Sequence, residues 1–69
     1  MKKRWVIEVY DCGEITKREK VTFVDALEYY DEVKEIDDLY CEVDNDKNII
    51  TFVEYKHNDR VACKIYEDD

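Results

Sequence analysis

The chain has 69 residues, with 19 Asp and Glu against 11 Lys and Arg and a net charge of −8. A chain this short forms one domain with a thin core, which excludes a deep cleft between two lobes. Apolar residues make up 45% beside 43% charged ones, too apolar a mixture for a disordered acidic tail, so a single folded domain over 1–69 with an acidic surface is expected.

No run approaches the roughly 18 apolar residues of a membrane span. The apolar run after the basic start Lys2-Lys3-Arg4 stops at Glu8, too early for a secretory leader, and a cytoplasmic protein is expected. A body at −8 repels anionic membranes and nucleic acid backbones, so direct binding to either is disfavoured. Cys12, Cys41 and Cys63 are odd in number and form no C-x-x-C pair. That argues against a disulfide scaffold or a zinc site and for reduced, small apolar side chains.

Along the chain, residues 4–10 alternate as a strand, with Trp5, Ile7 and Val9 on one face and Val6, Glu8 and Tyr10 on the other. Asp11-Cys12-Gly13-Glu14 reads as a short hairpin loop, Gly13 supplying the positive φ such a loop needs. Residues 15–22 return with a charged middle, Lys17-Arg18-Glu19-Lys20, which suits an exposed edge. Thr22-Phe23-Val24-Asp25 resembles a capping box and opens a helix over 23–35. Phe23, Ala26, Leu27, Tyr30 and Val33 form its apolar stripe. Residues 39–44 are a strand with Leu39, Cys41 and Val43 inward. Residues 49–56 are the next, after turn formers Asp44–Asn48. His57-Asn58-Asp59-Arg60 turns into a last strand over 61–66, and 67–69 is expected to fray. The order β-β-α-β-β-β predicts an α+β domain, an antiparallel sheet with one helix on one face. With Ile49, Val53, Val61 and Ile65 turned to the helix, Ile50, Phe52, Ala62 and Tyr66 would lie on a bare second face. Such a patch would be covered by a partner or by a second copy in a homodimer.

Charge is the most directional signal. Residues 1–20 hold six basic and four acidic groups, net +2; residues 21–55 hold two and eleven, net −9; residues 56–69 hold three and four, net −1. Asp25, Glu28, Glu32 and Glu35 make one helical stripe opposite the apolar face, with Asp31 beside it and Asp37 and Asp38 extending it. At about 1.5 Å rise per residue, successive carboxylates stand roughly 4.5–6 Å apart, the order of phosphate spacing on a nucleic acid strand. Like-charged pairs such as Glu28 with Glu32 cost helix stability, so the stripe suits a ridge that docks on a basic groove. Tyr29 falls beside the stripe and is expected to pack among its contacts with the partner.

Chemistry is weakly signalled. Asp44-x-Asp46-x-Asn48 has the first three ligand spacings of a calcium loop, but Ile49 and Tyr55 occupy the positions that need Gly and Glu. His57 sits in a polar turn with no serine in the chain to activate. No catalytic residue, metal or cofactor is expected. In size, charge and lack of catalytic residues the chain resembles the small acidic inhibitors that phages make against host nucleases and repair enzymes, anti-CRISPR proteins among them. That resemblance implies a non-enzymatic nucleic acid mimic whose partner has a basic nucleic-acid-binding surface: a nuclease, a Cas effector or a repair enzyme. The alternative is a structural or regulatory interaction module, joined as a homodimer through a sheet edge or face.

Overall fold

The computed structural model describes residues 2–68. Its elements are β1 (Trp5–Asp11), β2 (Glu14–Val21), α1 (Phe23–Val33), β3 (Leu39–Asp44), β4 (Ile49–Glu54) and β5 (Arg60–Glu67), with one 3-10 turn at Tyr55–His57 between the last two strands. The five strands form a single antiparallel sheet in the order β2-β1-β5-β4-β3. The helix lies on one face of it, the α+β architecture that the alternation predicts. The first and last strands pair in the middle of the sheet, which leaves β2 and β3 as its edges.

The local signals explain the joints. Cys12 and Gly13 both take positive φ, 53° and 83°, the geometry of a two-residue hairpin loop whose twist matches its strands. The Thr22 hydroxyl accepts from the Asp25 N–H at 3.2 Å and caps α1. The helix ends at Val33, two residues before the predicted end. Glu35 and Ile36 donate instead to the carbonyls three residues back. Glu32 and Glu35 set negative charge against the negative end of the helix dipole, and no glycine stands there to take a left-handed cap. Asp46 N donates to the Asp44 carboxylate at 3.1 Å, so the Asp44–Asn48 segment is a hairpin turn. Strand β4 stops at Glu54 rather than at 56, and Asn58 and Asp59, at φ 56° and 59°, complete the turn into β5. Glu67 closes β5, and Asp68 N donates to the Arg4 carbonyl. The expected frayed end is thus ordered through Asp68, and Asp69 lies outside the described residues.

Packing differs from the expectation in two ways. The core under the helix joins Ile7, Val21, Ala26, Val33, Phe52, Cys63 and Ile65, with Tyr29, Tyr30 and Ile50 against it. Phe52 and Ile50 therefore face the helix, and Ile49 and Val53 do not. The bare patch of Ile50, Phe52, Ala62 and Tyr66 does not exist as such. A bulge explains part of it: Phe52 pairs with Cys63 but Val53 pairs with Val61, so Ala62 is an extra residue that breaks the alternation of β5. The helix is also rolled relative to its predicted stripe. Ala26 and Val33 are buried, but Phe23 and Leu27 are 54% and 47% exposed. A helix about 10 Å wide covers about two strands spaced roughly 4.8 Å apart. The core contacts of α1 lie chiefly on β1, β5 and Phe52 of β4, and on β3 only Leu39 packs against that core. Cys41 and Val43, expected inward, are exposed.

The opposite sheet face has no helix, yet it buries Val6, Val53 and Glu8. Cross-strand neighbours do the covering. Val6 lies between Lys20 and Tyr66, and Val53 between Tyr40 and Val61. Long amphipathic side chains shield apolar atoms while their polar ends reach water.

Candidate protein-binding surface

The acidic stripe is formed largely as the periodicity places it. Asp25, Glu28, Asp31, Glu32 and Glu35 are all exposed on or just after α1, and Asp37 and Asp38 are exposed in the turn that follows. Two of the seven are tied locally. Asp31 holds Lys34 at 2.9 Å, and Asp38 holds Lys56 at 2.7 Å. These hydrogen bonds push both lysine pKa values up. Among the described residues, Asp25, Glu28, Glu32, Glu35 and Asp37 have no ion-pair partner within the chain.

Tyr29 is a correction. It points into the core, packed against the cluster beneath the helix. Burial first, and then the neighbouring Cys63, raise its hydroxyl pKa. The roll that brings Ala26 and Val33 inward also turns Tyr29 inward and turns Phe23 and Leu27 out. Tyr29 is thus half-buried beneath the helix rather than exposed among the ridge carboxylates.

The cations gather elsewhere. Lys17, Arg18 and Lys20 stand on β2, the edge farthest from β3. Lys20 meets Asp68 at 3.5 Å, and a shallow groove there is lined by Lys2, Lys3, Arg4, Lys20 and Asp68. The basic groups of residues 2–20 thus gather at the β2 edge, while the exposed acids lie on α1, the turn after it and β3. Complementary fields of this kind steer encounter more than they add affinity.

Two arrangements escape the linear reading. On the helix-free face, Glu8 is 8% exposed. It accepts from Tyr10 at 2.9 Å, from Tyr66 at 3.0 Å and from Arg18 Nε at 3.2 Å. Strand spacing hints at this, since Tyr10 lies two residues from Glu8, but the register of β5 is needed to bring Tyr66 over. The other is an apolar cavity of about 110 Å³ between Phe23, Leu27 and Tyr30 of the helix and Trp5, Ile50 and Ile65 of the sheet. The Trp5 and Phe23 rings form one wall, 5.7 Å apart.

Cys63 and His57 both line a groove of about 400 Å³ at the far end of the helix. Burial pushes the Cys63 thiol up to about 11, an effect that the neighbouring Tyr29 hydroxyl partly offsets. A thiol held protonated at neutral pH is a poor nucleophile. His57 lies 3.7 Å from Glu54.

No protein-family model, curated protein or solved structure matches this chain. No described helix is long and apolar enough to cross a membrane.

Proposed function

We infer that this protein is a small acidic binding module that occupies the basic, nucleic-acid-binding surface of another protein and blocks access by charge and bulk. One observation carries the reading. Five exposed carboxylates, Asp25, Glu28, Glu32, Glu35 and Asp37, run along α1 and the turn that follows it, and among the described residues none of them is in an ion pair, while six of the eleven Lys and Arg lie within residues 1–20. A helix kept only for stability would mix signs along its exposed face, because like charges at i,i+4 oppose it. The target class is a nuclease, a Cas effector or a repair enzyme in the cytoplasm of a bacterial cell, and the protein acts on it without chemistry of its own.

The test uses the protein as bait in a bacterial lysate, beside the variant carrying Glu28→Lys, Glu32→Lys and Glu35→Lys. The wild-type protein is expected to retain a nucleic-acid-binding protein that elutes as salt rises and that duplex DNA or RNA displaces. Retention of the same proteins by the reversed variant, with the same salt dependence, would discard the ridge as a binding surface.

A further inference from the structure

The two edges of the sheet are guarded differently. Strand β2 carries charge on both faces. Lys17 and Glu19 pair with Val9 and Ile7 on the helix side, while Arg18 and Lys20 pair with Glu8 and Val6 on the other. Its register with β1 also shifts between Val9 and Tyr10, with Thr16 as the extra residue. Inward charges and bulges are the devices by which natural edges refuse a further strand. Strand β3 has neither on its helix side. Leu39, Cys41 and Val43 lie there, opposite Glu54, Phe52 and Ile50 of β4, and the ladder runs without a register shift from Leu39 to Asp44. Val43 is 56% exposed, since the single helix does not reach it. The apolar cavity under Leu27 and Tyr30 adjoins this strip through Ile50.

We propose that the free edge of β3 accepts an extended segment of a partner protein in which apolar and basic residues alternate. Backbone hydrogen bonds of the added strand would satisfy the unpaired groups of β3. Its apolar side chains would lie beside Cys41 and Val43, and its Lys or Arg side chains beside Glu42 and Asp44 on the other face. Charge selects this occupant. Strand β3 holds Glu42 and Asp44 and no cation, and opposite charges across strands stabilise a pair while like charges oppose it. A second copy of the chain would bring its own Glu42 and Asp44 and a further net charge of −8 to the same edge. The proposal rests on the reading of the protein as a binder of basic protein surfaces, and it adds a contact that reads backbone and side chains as well as charge.

An acetylated, amidated heptapeptide alternating Val and Lys is the probe, added to the isotope-labelled protein and followed by NMR. The β3 amides should shift, and those pointing away from β4 should exchange more slowly. Replacing Lys by Glu in the peptide should remove both effects. Backbone N-methylation of the peptide, which spares its side chains, should weaken binding by about tenfold or more, as should Val43→Lys in the protein. Val43→Lys should leave the circular dichroism spectrum unchanged, because that side chain already meets water. Shifts confined to α1 or to the helix-free face would overturn the proposal, and so would an N-methylated peptide that binds equally well. Concentration-dependent β3 shifts in the protein alone would overturn it in favour of a second copy. The variant reversed at Glu28, Glu32 and Glu35 should keep the β3 shifts. If Val43→Lys loses the lysate partner and the reversed variant does not, the edge stands and the ridge falls.

Discussion

Glu8 is the most constrained charged residue in the molecule, buried in a sheet face that no helix covers and satisfied by Tyr10, Tyr66 and Arg18. Removing it leaves a guanidinium and two hydroxyls without their shared acceptor. Glu8→Ala should cost about 1–3 kcal/mol, and Tyr66→Phe about 1 kcal/mol, by urea denaturation. Cys12 pays for its loop with a left-handed backbone at φ 53°. Asn tolerates that region better and precedes Gly in the favoured hairpin loop. Cys12→Asn should therefore raise stability by roughly 0.5–1 kcal/mol in the same assay. Alkaline pH should act chiefly through the two groups with the largest shifts. The bond to Asp59 pushes Tyr40 up from 10.0 to about 12, and burial pushes Cys63 up from 9.0 to about 11. For acids with a raised folded pKa, the folded state holds the proton more tightly. Their contribution is present below the unfolded pKa and is lost as pH rises through the folded one. The urea midpoint should fall between pH 9 and 12, and Tyr40→Phe should flatten the upper part of that fall.

Secondary structure elements were legible where local chemistry sets them. Thr22 capping, the Cys12-Gly13 loop and the charged β2 edge all follow from residues adjacent in sequence. Thr22→Ala should cost about 1 kcal/mol. The roll of α1 was not legible, because Phe23, Leu27, Tyr29 and Tyr30 all satisfy a helical apolar pattern within one turn of error. Ile65 beneath the helix and Leu27 on its flank test the observed roll. Ile65→Ala should cost about 2–5 kcal/mol, while Leu27→Ala should cost less than about 1 kcal/mol because much of that side chain is already in water. Equal losses at the two sites would place Leu27 in the core after all.

The whole molecule measures 37 × 23 × 20 Å and carries −8 on that small body, so self-repulsion opposes its compact state. Raising salt shortens the Debye length from about 30 Å at 0.01 M to about 3 Å at 1 M. Stability of the wild-type protein should rise over that range. Reversing Glu28, Glu32 and Glu35 changes the charge by +6, from −8 to −2, and should make the urea midpoint nearly independent of salt. The same reversal should slow association with the partner more than it speeds dissociation, measured by surface plasmon resonance, because long-range charge acts chiefly on encounter.

Composition, period and turn chemistry were enough to read one helix, five strands and an acidic central segment, since each of these depends on neighbours a few positions away. They also placed seven of the eight expected ridge residues in solvent. Tyr29, Phe52, Val53 and Val43 were misplaced for a different reason. Strand alternation offers two faces without saying which meets the helix, and the bulge at Ala62 shifts that choice partway along β5. Only the assembled sheet, with β1 and β5 paired at its centre, fixes where one helix can stand. A single helix spans about two strands, so Cys41 and Val43 of β3 are left in water by geometry that no local pattern encodes.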